Sequence, residues 1–424
     1  MRTINTHELL SKLAQPDLRL IDVRSVQAYN GWRHHNEPRG GHIRGARSLP
    51  HKWLKYVDWM DIVQSKGFST EHEIIVYGDD FRQTRSVGQQ FVRAGYTRVG
   101  IYHDLIDQWI PDLDLPMDQL AHYRQLVGAR WLNRLLTNGR APDYDNNRFV
   151  MCHAYYHDRG AYEAGHIPGA VDLDTNALES PETWNRRSAR ELKQVLEAHG
   201  ITHDTTVILY GRFALPDNDD PFPGAAAGHL GAIRCAFIMM YAGVTDVRIL
   251  NGGLQAWRDA GFETTTADTP KRTVADFGAP IPGRPELAID TPEAKMFLQA
   301  PDKNLVSVRS WNEYIGKVSG YHYIDKKGRI PGAIFGNCGS DAYHMENYRN
   351  LDHTTREYHE IERTWAEAGI TPEKANAFYC GTGWRGSEAF FNAWLMGWPR
   401  VCVYDGGWFE WSNDENNPIE TGVP

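Results

Sequence analysis

Residues 378–386 read FYCGTGWRG, a thiol set between two aromatic residues and a loop rich in glycine. Cys380 is a side chain in this stretch that can act as a covalent nucleophile. An apolar pattern, SEAFFNAWLMGW, resumes directly after the loop and predicts a helix. The first amides of such a helix have no intrahelical partners and can converge on an anion. Gly381 and Gly383 allow the loop to curl through left-handed backbone and keep Cβ atoms out of the bowl. Amides facing the sulfur would stabilise negative charge on it, which suits a nucleophilic thiol. Arg385 is placed to brace the loop or to add charge to it.

The other four cysteines read differently. Cys235 in AIRCAFIMMY and Cys402 in VCVYD lie in apolar runs, where cysteine behaves as a small core residue. Cys152 and Cys338 fall near turns, which leaves exposure open to them, with no chemistry assigned to either. Five widely spaced cysteines argue against a disulfide framework. The absence of CxxC and HExxH patterns leaves a metal site without support, and no cofactor is expected.

The elements that carry the loop recur along the chain. LRLIDVRSVQAYNGWR (18–33), RFVMCHAYYHDRGAYEAGH (148–166) and NLVSVRSWNEYIG (304–316) each give a short apolar strand, a polar turn and a tyrosine. GGHIRGARSLP, AGHIPGAVDLD and KGRIPGAIFGN follow at similar depth. Then come EIIVYG (73–78), TTVILYG (205–211) and NAFYCG (376–381), each a buried strand. Only the third of these ends in a cysteine, with Gly78 and Gly211 at the matching places. A helix closing at AGYTRVGIY, AGVTDVRIL or MGWPRVCVY completes each copy. Strands alternating with helices at these lengths predict right-handed βαβ units around a parallel sheet, an α/β fold in three tandem copies.

From Gly78 to Gly95 and from Cys380 to Gly397 is 17 residues, but from Gly211 to Gly243 is 32. The middle copy therefore carries an insertion, placed at 212–229. The expected division is a first domain at 1–117, a linker at 118–140, a second domain at 141–264, a Pro-rich linker at 265–290 and a third domain at 291–424. The start, MRTINTHELLSKL, reads as the beginning of a small amphipathic helix rather than a signal peptide. With 41% hydrophobic residues, 23% charged residues and a net charge of −9, the composition is that of a globular protein. Neither nucleic acid nor a membrane is an expected partner, and the cytoplasm is the expected location.

The three units resemble rhodanese (sulfurtransferase) domains over nearly the whole chain, so the resemblance implies three tandem rhodanese-like domains, each a parallel sheet flanked by helices. In that family the loop cysteine accepts a sulfane sulfur as a persulfide held by the amide bowl. Four residues separate Cys380 from the last loop position in C-GTGW-R, whereas related phosphatases carry one more to admit a tetrahedral oxyanion. The first copy keeps the family's D-x-R as Asp22 and Arg24, the second has Met151 and His153, and the third has Ser307 and Arg309. The histidine of GHIPGA is His42 and His166, with Arg329 in the third copy. These positions read as structural, and the first two copies as catalytically silent.

Loops specialised for thiosulfate carry cations directly after the cysteine; Gly381 and Thr382 stand there instead, which favours polysulfide as the donor. SGYHYIDKKGRIPGAIF, GSDAYHMENYRNLDHTTREYHEIE and YDGGWFEWSN resemble the anaerobic-type ergothioneine synthases, as do SPETWNRRSARELK and the insertion. Part of the likeness is shared with three-domain thiosulfate sulfurtransferases of the YnjE type. The closer resemblance implies sulfur transfer from polysulfide through Cys380 to the imidazole C2 of hercynine, the trimethylated betaine of histidine. It implies Tyr321 as the acid–base group at the ring, and Thr382 can hydrogen-bond the other ring nitrogen. A trimethylammonium donates no hydrogen bonds and belongs against aromatic faces, for which Tyr379, Trp384, Trp408 and Trp411 are candidates. An upstream sulfur-donor protein is the expected macromolecular partner. Two alternatives remain: a sulfurtransferase serving thiols, cyanide or a sulfur-carrier protein, and a non-catalytic binding module.

Overall fold

Short apolar runs that end at a glycine or a cysteine form the central strands of three five-stranded sheets, each with all its strands parallel. The structure is a computed structural model and describes residues 1–34, 37–213 and 228–424. The chain forms two units, Met1–Arg124 and Gln125–Pro424.

In the first unit the strand order is Arg2–Ile4, Val99–Tyr102, Glu73–Tyr77, Leu18–Asp22, Arg47–Ser48. Its sheet packs Ile21, Val76, Val87 and Phe91 into one core layer and Leu20, Ile75, Tyr102 and Trp109 into another. Asp22 and Arg24 form a buried pair at 2.6 Å, and Gly78 ends the central strand where the third repeat has its thiol. The opening residues include an edge strand, Arg2–Ile4, before the helix Thr6–Lys12 begins.

The second unit holds two sheets of the same order. One runs Leu126–Val127, Asp246–Leu250, Thr206–Tyr210, Phe149–Tyr155, Val171–Asp174. The other runs Ala288–Ile289, Val401–Tyr404, Ala375–Tyr379, Lys303–Ser307, Ile334–Phe335. Residues 118–140 and 265–290, read from sequence as linkers, each contain the opening edge strand of the following repeat. The helix Ala129–Asn138 also falls in the first of these stretches. A two-residue strand carries no periodicity to read, so pattern alone passes over it. Of the insertion expected at 212–229, residues 214–227 lie outside the described residues.

Helix Gly228–Ala242 of the second repeat is mostly apolar and buried nearly all round, so it must be covered on almost every side. Helix Trp384–Leu395 of the third repeat covers one face of it, with Phe237 and Phe390 5.4 Å apart between ring centroids. This packing brings the second repeat up to the loop that begins the third repeat's helix.

The GHIPGA-type turns are structural. His42 and His166 stack flat on Tyr29 and Tyr162, at 3.8 and 3.6 Å, and each has Nδ1 at a backbone carbonyl. Arg329 takes the same role over Tyr314 in the third repeat. The exposure that nearby turns left open to Cys152 and Cys338 is not taken: both are fully buried. Cys152 sits inside the strand Phe149–Tyr155, and the Cys338 thiol donates to the Val308 carbonyl at 3.1 Å. Burial pushes both thiols up to about 12, so neither is an available thiolate near neutral pH.

Candidate active site

The strand Ala375–Tyr379 delivers Cys380 at its carboxyl end, and the helix Trp384–Leu395 starts four residues later. In open α/β sheets this is the place where ligands bind. Gly383 caps the helix at φ +88°, in the left-handed region that a side chain resists. The loop carbonyls are tied from behind: the Trp408 amide donates to the Cys380 carbonyl at 2.8 Å and the Phe409 amide to that of Gly381 at 2.9 Å. Because the N–H and C=O of one peptide plane point oppositely, the next amides face away from that turn. Gly407 makes the approach possible, since a Cβ there would stand 2.8 Å from both carbonyl oxygens.

Tyr321 lies over the loop. A Cβ on Gly381 would stand 2.7 Å from the Tyr321 hydroxyl, so only glycine lets the half-buried phenol come so close to Cys380. Burial pushes this phenol well above its ordinary range, with Arg385 acting in the opposite direction. Arg385, fully buried, donates through Nη2 to the Tyr321 hydroxyl at 2.7 Å and grips Glu313 with bonds of 2.8 and 3.0 Å. It also donates to the Asp341 carbonyl at 2.9 Å. These bonds tie Arg385 to Tyr321, Glu313 and the Asp341 carbonyl, as the bracing role left open in the sequence requires.

Glu313 is the hub of this brace. It accepts from Arg309 Nε at 3.3 Å and from the amide and hydroxyl of Ser310 at 2.9 and 2.8 Å, as part of a capping box. Burial pushes its carboxyl up, but Arg385 and Arg309 outweigh burial and hold it at about 2. The S-x-x-E spacing of SWNE carried this signal in the sequence, although nothing there linked it to Arg385.

Thr382 is buried beside Cys380. The aromatic candidates separate into two groups. Tyr379, Trp408 and Trp411 belong to the core of the third repeat, with at most 2% exposure, so they offer no face to a ligand. The indoles of Trp408 and Trp411 donate to the carbonyls of Lys326 and Pro418. Trp384 is half-buried and meets Tyr156 edge-on at 5.6 Å.

The sequence reading missed most of the aromatic rim. Trp184 stacks on Tyr323 at 4.5 Å, Tyr323 sits 5.2 Å from Tyr321, and Tyr343 meets Tyr321 edge-on at 6.3 Å. None of these four rings is fully buried. Tyr156 and Trp184 come from the second repeat, and the remaining three come from the third. Among the described residues, no cluster of three or more His, Cys, Asp or Glu could hold a metal, and no helix is long and apolar enough to cross a membrane.

The profile of the rhodanese-like domain matches residues 5–111, 156–260 and 290–414. The chain is 39% identical over 417 residues to the thiosulfate sulfurtransferase YnjE of Escherichia coli (strain K12), covering 97% of this chain and 91% of that protein. It is 61% identical, with a TM-score of 0.97 and full coverage of both chains, to the anaerobic ergothioneine biosynthesis enzyme from Chlorobium limicola in complex with its natural substrate, trimethyl histidine. The same figures hold for a tyrosine-to-phenylalanine variant of EanB, whose cysteine persulfide is captured in a tetrahedral intermediate state with ergothioneine.

Proposed function

We propose a function from one premise: the chain belongs to the rhodanese-like domain family. It is a sulfurtransferase that takes sulfane sulfur as a persulfide on Cys380 and places it on the imidazole C2 of hercynine to give ergothioneine. The observation that carries this reading is the Tyr321 phenol, braced by Arg385 and lying over Gly381 beside a strand-end thiol.

In the first half-reaction the Cys380 sulfur attacks a terminal sulfur of polysulfide. One S–S bond forms, another breaks, and a polysulfide one sulfur shorter leaves. In the second, hercynine C2 gives up its proton and attacks the outer sulfur of the persulfide. The C–S bond forms, the S–S bond to Cys380 breaks, and its electron pair returns to Cys380, whose thiolate takes up a proton in exchange for the one that C2 loses to solvent. Sulfane sulfur is the oxidant in this scheme, so oxygen has no part in it. Tyr321 accepts a hydrogen bond from Arg385, which leaves its own proton to donate to a ring nitrogen and eases loss of the C2 proton. Thr382, beside Cys380, is assigned the second ring nitrogen. Trp184, Trp384 and Tyr343 are the aromatic faces for the trimethylammonium.

Likeness to YnjE favours a second reading, in which the persulfide passes to a thiol, to cyanide or to a carrier protein. Anaerobic incubation of the protein with hercynine and polysulfide, followed by mass spectrometry, separates the two. Ergothioneine formation supports the first; no conversion, with good transfer to cyanide, supports the second.

A further inference from the structure

The second repeat has no loop cysteine, yet it places a fully buried guanidinium against the loop that has one. Arg234 stands on the helix Gly228–Ala242 and is 0% exposed. Its Nε donates to Glu179 at 3.0 Å, and its Nη2 lies 2.7 Å from Asp405 and donates to the Trp184 carbonyl at 2.7 Å. Nη1 has no acceptor among the described residues and lies 2.9 Å from where a Cβ on Gly383 would stand.

Each of its two carboxylate partners holds one flank of the loop. Glu179 accepts from the Trp384 indole at 2.9 and 3.0 Å, and Trp384 is the first residue of the helix after the loop. Asp405 leads into the turn whose amides hold the carbonyls of Cys380 and Gly381. Arg186, also from the second repeat, donates to Asp405 through its amide at 2.8 Å and through Nη1 at 2.9 Å. The loop has little means of holding itself, because Gly381 and Gly383 have no side chains to pack. Its rigidity must come from neighbours. Arg385 and Glu313 brace it from within the third repeat, and the Arg234 network meets it at Gly383 and Trp384.

We propose that Arg234 is a positioning residue for the chemistry of Cys380: it joins Glu179 and Asp405 into a clamp that fixes the direction of the loop amides from the neighbouring repeat. The consequence for sulfur transfer rests on the reading of Cys380 as the sulfur carrier. The clamp itself does not. It gives the silent second repeat a part in the reaction, since without it one flank of the bowl would be unsupported. Buried ion pairs are net stabilising only when geometry is well matched, so a network of this kind is better explained by the order it imposes than by stability.

The test uses the full chain with Arg234→Lys, which keeps the charge and loses the fork, and Trp384→Phe, which removes the indole donor to Glu179 together with part of the ring that meets Tyr156. Hydrogen exchange of the amides at 381–385 is expected to accelerate about tenfold or more in Arg234→Lys, because a charge-assisted brace is lost. Persulfide formation at Cys380, followed by intact mass under anaerobic polysulfide, is expected to slow by about the same factor while the helical circular dichroism is retained. Trp384→Phe should show both effects more weakly, and it decides the matter if Arg234→Lys does not fold. Unchanged loop exchange in the folded variants overturns the clamp. If exchange accelerates while the parent forms no persulfide on Cys380, the clamp stands and the assignment of the sulfur carrier falls.

Discussion

Arg385 donates to the Tyr321 hydroxyl at 2.7 Å while two further bonds lock the same guanidinium to Glu313. The phenol oxygen is thus held by a cation on one side, and its proton is left for another acceptor. Burial pushes this phenol well above its ordinary range, so in the proposed reaction Tyr321 would serve as a neutral donor that a developing negative charge can draw on.

Tyr321→Phe is expected to load Cys380 with persulfide at close to the parent rate and to fail at the second step. Single-turnover transfer from preloaded persulfide to hercynine should fall by about 10²–10⁴-fold, the usual contribution of one positioned acid–base group. Exchange of the C2 hydrogen with deuterated solvent should slow in parallel. A transfer rate within about threefold of the parent, well short of that range, would remove Tyr321 from the mechanism.

Cys380→Ser is expected to abolish sulfur transfer with the fold retained. In the parent, polysulfide should add about 32 Da per persulfide sulfur to the peptide carrying Cys380. Replacing Cys152, Cys235, Cys338 and Cys402 together with Ala or Ser should leave transfer in place in any variant that folds, since all four thiols are buried and pushed upward by that burial. A soluble, folded and inactive quadruple variant would sink the single-cysteine scheme.

Gly381→Ala places a methyl group 2.5 Å from Cζ of Tyr321 and 2.7 Å from its hydroxyl, so the ring must move. A shift on the order of 1 Å at a reacting group costs roughly 10²-fold in rate. The expected result is a large drop in transfer to hercynine with a much smaller drop in persulfide formation. Equal losses in both steps would mean that the glycine serves the bowl alone.

The Glu313 brace predicts the acid side of the stability profile. Its carboxyl is held at about 2 in the folded chain against an ordinary 4.5. A carboxyl held low in the folded state contributes stability that is complete above about 4.5 and is lost as pH falls toward 2. Glu313→Gln should therefore be less stable than the parent at pH 7, with the gap closing over that acid range. Denaturant unfolding of both proteins across pH checks this, and a gap independent of pH would show that charge at Glu313 is irrelevant.

The sequence by itself determined the repeat and the class of sheet, and it singled out Cys380 as the candidate nucleophile. Apolar runs ending at Gly78, Gly211 and Cys380 mark three equivalent strand ends, and a glycine-flanked thiol ahead of a helix has few other uses. All of this is local, carried by spacing within some tens of residues. Only the tertiary structure decided which side chains surround that thiol. Glu313 and Arg385 are 72 residues apart, Glu179 and Trp384 are 205 apart, and no pattern joins them. Tyr379, Trp408 and Trp411 looked as suitable for an aromatic face as Trp184 and Tyr343 do, until packing put the first three in the core. Arg234 shows the limit most plainly. A lone cation in AIRCAFIMMY signals that some buried partner must exist, because an unpaired charge there would cost too much. Which partner it finds depends on two apolar helices from different repeats meeting face to face, and that is settled by surface burial between distant segments rather than by any residue's near neighbours.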